Sequence, residues 1–255
     1  MNREATGLAG VRHIAYETLG STTAVALAHA RAGERGPLWI TAQTQSAGRG
    51  RRGRSWVSEP GNLYASLLLS DPAPVSRAPE LSFVAALAVR DAIEQETSAL
   101  AHLLTLKWPN DVLLAGAKVA GVLIEGEVIG GEPATVLVGI GINCASHPRE
   151  AAYPATDLRL HGSTAMPQTL IAILSDAMLA RLTQWDRGDG FSIIRRDWLA
   201  AAHQIGTAIR VSDGAGERIG RFAGLDETGH LLLDLPGGMR EELSGGDVFP
   251  LTLRS

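Results

Sequence analysis

Two rhythms of apolar residues run along the chain. Largely unbroken apolar runs at residues 38–41 and 63–69 predict buried strands, whereas residues 80–95 carry Leu81, Val84, Ala85, Ala88 and Ile93 at helical spacing. Strand patterns return at 103–107, 111–114, 119–125 and 136–143, several separated only by turn formers such as Ala115-Gly116-Ala117, and Asp71-Pro72-Ala73-Pro74 marks a loop. That cadence predicts an α+β fold built on a mixed, largely antiparallel sheet with packed helices. Two further helices are expected at 167–185 and 191–201.

Past His203-Gln204 the helical signal stops. Short strand patterns follow at 207–211, 218–225, 230–234, 240–243 and 248–251, divided by Asp213-Gly214, residues 226–229 and Gly237-Gly238. They predict a small β-barrel closing the chain, and hence two domains, 1–204 and 205–255.

Composition narrows the classes. The 255 residues are 45% hydrophobic and 20% charged, an ordinary soluble globular balance with room for a substantial core. A formal net charge of -4 argues against a nucleic-acid footprint spread over the surface. Cys144 is the only cysteine, so no internal disulfide forms, and neither it nor the seven histidines has ligand spacing, so no metal ligands are assigned. The first ten residues lack a basic end followed by an apolar stretch, and no apolar run reaches membrane-spanning length. A cytoplasmic protein without a membrane partner is expected.

Against that acidic background, residues 48–54 (GRGRRGR) bring together four arginines and three glycines. Glycine lets a ligand approach backbone amides, and arginine forks suit phosphate and carboxylate oxygens, so the segment reads as an anion clamp. A flexible basic loop that touches RNA is an equal reading of the segment alone. Four like charges with little to pack against predict a mobile loop without ligand. Lys107 ends a strand at Lys107-Trp108-Pro109-Asn110-Asp111; by itself it reads best as the partner of a carboxylate such as Asp111. Gly121, Gly139 and Gly141, each taken singly, read as sheet packing. No Ser/His/Asp nucleophile motif is present.

Taken together, QSAGRGRRGRSW at 45–56, GNLYAS at 61–66, KWPND at 107–111, KVAGVLIE at 118–125 and GIGIN at 139–143 resemble, in order and spacing, the biotin protein ligase family. Ser21-Thr22-Thr23 resembles that family's Ser-Thr-Asn biotin contact, with Thr23 departing from the usual Asn, and the tail resembles its SH3-like C-terminal domain. The resemblance implies a class II synthetase-like catalytic domain that makes biotinyl-5′-AMP from biotin and MgATP, then passes biotin to a lysine of a biotin carboxyl carrier protein. It implies Arg49, Arg51 and Lys107 as catalytic cations. Ser21, Thr22, Thr23, Gln45, Arg49, Gly50, Arg51 and Lys107 would contact biotin. Arg51, Arg54, Trp56, Lys107, Asn110, Lys118 and Asn143 would serve the nucleotide, with Gly48, Gly121 and Gly139 as floor. Some members carry an N-terminal winged helix that binds DNA; the catalytic pattern here begins within about fifteen residues, so an enzyme without repressor activity is expected. A homodimer is left open. The rival readings are a lipoate or octanoate ligase or transferase on a related fold and, in another class, an RNA-binding module using the arginine loop.

Overall fold

A computed structural model describes residues 3–8, 10–129, 134–151, 153–214 and 216–251. The elements are β1 (Arg3–Leu8), β2 (Val11–Leu19), α1 (Thr22–Arg31), β3 (Leu38–Gln45), β4 (Leu63–Ser70), α2 (Leu81–Glu96), β5 (Leu104–Lys107), β6 (Asp111–Leu114), β7 (Ala117–Glu127), β8 (Thr135–Ile142), α3 (Pro167–Trp185) and α4 (Phe191–Ala200). After these come β9 (Ala208–Asp213), β10 (Gly216–Leu225), β11 (Leu231–Asp234), β12 (Arg240–Leu243) and β13 (Asp247–Pro250).

The first eight strands form one sheet in the order β1-β2-β3-β4-β8-β7-β6-β5. Only β2 and β3 pair in parallel; the other ladders are antiparallel, as the short turns predict. Side-chain alternation then sorts the two faces. Val136, Val138, Ile140 and Ile142 of β8 join Leu63, Ala65 and Leu67 of β4 in the core with α2 and α3. On the opposite face Leu38, Ile40, Leu68 and Leu137 pack with Ala26 and Ala30 of α1. Gly139 and Gly141 alternate onto this second face. Because α1 is only 10 residues long and these positions carry no side chain, space remains there beyond its N-terminus.

The last five strands form an antiparallel sheet in the order β12-β11-β10-β9-β13. Its apolar residues Ile209, Val211, Phe222 and Leu231 belong to the same core as α2 and α4. Two contacts bring it to the large sheet: Trp108 Nε1 donates to Gly229 O at 3.0 Å, and Lys107 Nζ donates to Val248 O at 3.4 Å. The mixed α+β architecture with a closing β unit therefore stands as expected. The sequence patterns did not foresee β1, β2 or α1; β2 interleaves polar positions and owes its place to parallel pairing, Arg12 opposite Leu38, with a strand well separated in sequence, which local periodicity does not report. Among the described residues, no helix is long and apolar enough to cross a membrane.

Candidate active site

The space beyond α1 is a cavity of about 420 Å³. One end is built by the N-terminus of α1 and the end of β3: Ser21, Thr22, Thr23 and Gln45 line it. Thr22 N and Oγ1 both donate to Gln45 Oε1, at 2.8 and 3.2 Å. Ser66 Oγ donates to Thr22 Oγ1 at 2.8 Å and lies 3.1 Å from Thr23 Oγ1. Thr23 thus offers a hydroxyl bonded to Ser66 where the motif usually has an amide. Ser66 was visible only as part of a motif; its role in holding the threonines needed the β4 register.

The arginine segment crosses the cavity as a small hairpin. Trp56 N donates to Gly48 O at 2.9 Å, Arg49 and Ser55 form a bridge, and Gly50 N donates to Arg54 O at 2.7 Å. Its tip turns through Arg52 and Gly53, both at positive φ. Arg49, Gly50, Arg51, Arg54 and Trp56 line the cavity. The sequence reading that this loop has little to pack against is corrected here, because every guanidinium has a partner. Arg49 pairs with Glu125 at 3.1 Å, Arg51 Nη1 donates to Asn110 Oδ1 at 2.9 Å, and Arg52 and Arg54 both pair with Asp247 of β13, at 3.3 and 2.9 Å. Burial pushes the Arg51 guanidinium below its ordinary range, with Asp247 and Asp111 working against that shift.

The cationic wall comes from the β5–β6–β7 meander. Lys107 and Asp111 face each other in the β5–β6 ladder, and Lys107 Nζ lies 3.2 Å from Asp111 Oδ2 while Lys118 Nζ lies 2.5 Å from Asp111 Oδ1. Burial pushes the Lys107 ammonium down, against the pull of Asp111. Burial works to raise Asp111, yet Lys118 and Lys107 together hold its carboxyl below the usual range. One carboxylate for two ammonium groups leaves the wall net positive. The carboxylate partner expected for a lone lysine is present, and it coexists with a place in the cavity wall. The Tyr153 ring sits 4.3 Å from Lys107 Nζ and caps it; neither it nor Asp247 was singled out from sequence, since both come from distant segments.

Gly121, Gly139, Asn110 and Asn143 also line the cavity. Asn143 Nδ2 donates to Thr156 O at 3.0 Å, so its amide ties down the segment after β8. The Trp56 indole lies across Gly121 and Gly141: a Cβ on Gly141 would stand 2.5 Å from Trp56 Cε2, and one on Gly121 2.9 Å from Cζ3. Trp56 Nε1 is buried against Gly141 without a hydrogen-bond partner among the described residues. Gly48 is the exception among the expected positions. It does not line the cavity; a Cβ there would meet Trp56 O at 2.5 Å and Ser58 Oγ at 2.7 Å, so it serves the hairpin's stem.

A hydroxyl-and-amide cluster, a cationic wall and an indole over a glycine floor in one cavity suit a ligand with a polar head and an anionic group. The comparisons agree with that chemistry. Residues 18–143 match the biotin/lipoate A/B protein ligase family, and residues 205–249 match the biotin protein ligase C terminal domain. The chain is 40% identical over 235 residues to the biotin--[acetyl-CoA-carboxylase] ligase of Paracoccus denitrificans, covering 90% of this chain and 96% of that one. It is 35% identical over 240 residues to the enzyme of the same name from Mycobacterium tuberculosis, covering 91% and 86%. The biotin protein ligase of Aquifex aeolicus, solved in complex with biotin and ATP, superposes with a TM-score of 0.77 at 26% identity over 93% of this chain and 97% of that one. The chain belongs to the biotin protein ligase family, and is a ligase.

Proposed function

We propose that this ligase activates biotin with MgATP and transfers it to a lysine of a biotin carboxyl carrier protein, with residues 1–204 as the catalytic domain and 205–255 as a C-terminal domain that braces the arginine hairpin. The observation that carries the reading is the cavity itself. Thr22, Thr23 and Gln45 line the same cavity as Arg51, Lys107 and Lys118. A ureido ring, which both donates and accepts hydrogen bonds, matches the hydroxyl-lined end; the aliphatic chain of lipoate or octanoate would make no hydrogen bond with those groups.

In the first step a biotin carboxylate oxygen attacks the α-phosphorus, the bond to the β-phosphate breaks, and pyrophosphate leaves. Two anions must meet, so fixed positive charge lowers the barrier. Lys107 and Arg51 supply it from rigid positions. Arg54, Lys118 and the Trp56 indole serve the nucleotide, with Asn110 holding Arg51. In the second step the carrier's lysine nitrogen attacks the activated carbonyl, a C–N bond forms, and AMP leaves with the shared oxygen. The hairpin keeps the mixed anhydride from water until then.

Exchange of labelled pyrophosphate into ATP tests the first step. The exchange is expected to require biotin, and exchange that depends on lipoate or octanoate instead would replace this reading with the rival one.

A further inference from the structure

The hydrogen bonds behind the cavity's polar end form one directed chain that leaves the site. Ser66 Oγ donates its single proton to Thr22 Oγ1, so Thr23 must donate in the Thr23–Ser66 contact. Thr22 Oγ1 donates to Gln45 Oε1, Gln45 Nε2 donates to Ser58 Oγ at 3.0 Å, and Ser58 Oγ donates to Trp56 O at 3.0 Å. The Gln45 amide cannot turn over: Thr22 N–H also points at Oε1, and a flip would set donor against donor. Every hydroxyl gives one proton forward.

The chain ends on the stem of the arginine hairpin. Trp56 is the residue whose N–H closes that stem onto Gly48 O, and Gly48 is glycine where a Cβ would strike Trp56 O, Ser58 Oγ and Gln45 Nε2 at 2.5, 2.7 and 3.1 Å. The close packing around Gly48, which the cavity lining does not account for, is therefore the packing of this relay. Ser58 does not line the cavity, yet among the described residues its side chain joins the Gln45 amide to the hairpin's stem by hydrogen bonds.

We propose that Ser58 is a positioning residue that reports occupancy of the polar end of the cavity to the arginine hairpin. The proposal rests on the reading that this end takes a ureido ring. A ring that hydrogen-bonds Thr22 or Gln45 polarises the amide, strengthens its donation to Ser58, and through Ser58 tightens the carbonyl that caps the hairpin's stem. Biotin thereby firms the hairpin before ATP arrives, and the coupling is reciprocal: a firmer hairpin holds biotin better.

The test measures two quantities on wild type, Ser58→Ala and Ser58→Thr. One is biotin affinity by equilibrium dialysis; the other is the rate of trypsin cleavage within residues 49–54 with and without saturating biotin. Loss of one hydrogen bond from the relay should reduce the biotin-dependent protection of Ser58→Ala about fivefold, with affinity reduced by a similar factor. Ser58→Thr, which keeps the hydroxyl, should restore both. Melting curves establish that each variant is folded, and Ser58→Cys, near-isosteric and a weak donor, gives the same reading if alanine disrupts the stem. Full protection of Ser58→Ala at saturating biotin overturns the proposal, whether or not its affinity falls, and so does failure of the threonine to rescue. Absence of biotin binding by the wild type would instead overturn the functional reading beneath it.

Discussion

Lys107 and Asp111 are partners twice over, paired in the β5–β6 ladder and joined by an ion pair of 3.2 Å between Nζ and Oδ2. A turn of three residues thus fixes an ammonium against a carboxylate that a second lysine, Lys118, also occupies. Such a lysine is held in place by its own strand pair, ready for an incoming anion.

Lys107→Ala is expected to slow pyrophosphate release by about a hundredfold or more, since its charge matters most as negative charge gathers at phosphorus. Biotin affinity should change far less. Lys107→Arg should rescue poorly, because a planar fork does not fit a site where lysine is 7% exposed. Single-turnover assays with dialysis measurements separate the two effects, and near-normal release by the alanine variant would contradict the assignment.

Asp111 also sets an acid limit. Its folded carboxyl is held below the ordinary value of 3.8, so the stabilisation it contributes is complete above that value and is lost as pH falls through the folded one. Wild type should therefore melt well above Asp111→Asn at neutral pH, with the gap closing below about pH 4. Melting temperatures from pH 7 downward check this; a gap that does not depend on pH would show that Asp111 is not the titrating group.

Asp247 is the hairpin's anchor on β13. Asp247→Ala removes the partner of Arg52 and Arg54 at once, and two partly exposed pairs contribute about 0–1 kcal/mol each. Trypsin cleavage within residues 49–54 should become several-fold faster while the melting temperature hardly moves. Unchanged cleavage would leave the pairs without a role in holding the loop.

Arg51→Gly removes the contact to Asn110 Oδ1 together with the charge beside the proposed acyl-phosphate. The variant should still make biotinyl-AMP but release it about ten- to a hundredfold faster, given about 1.5–3 kcal/mol for a charge-assisted hydrogen bond. Bystander proteins in solution should then be labelled. Adenylate formation with wild-type bystander labelling would move the retaining role to another arginine.

Cys144 should be inert. Burial pushes its thiol up to about 12, and its backbone N–H is tied to Asn62 Oδ1 at 2.9 Å. Thiol reagents at pH 8 should label the native chain only after unfolding; prompt labelling would show that the segment after β8 opens.

Much of this site was legible in the chain because its chemistry sits in contiguous motifs at strand ends and turns. The strand–turn–strand at 107–111 needs no tertiary information to place a lysine opposite an aspartate. The pairing of Arg52 and Arg54 with Asp247 was not legible, since nearly two hundred residues separate the partners and only the docking of the last sheet joins them. The same holds for Ser66 and Ser58: a serine in a strand or loop carries no signal of its own, and each acquires a role through a register or a packed turn. α1 and β2 escaped because an alanine-rich helix of 10 residues without a side-chain cap and a strand with interleaved polar positions give weak periodicity.

Incubating the chain with MgATP, biotin and a biotin carboxyl carrier domain, and weighing the carrier by mass spectrometry, tests biotin transfer itself. One added biotinyl group on one lysine is expected for each pyrophosphate released, with lipoate and octanoate giving no product. A carrier that stays unmodified by biotin, or that gains a lipoyl or octanoyl group in its place, would contradict it.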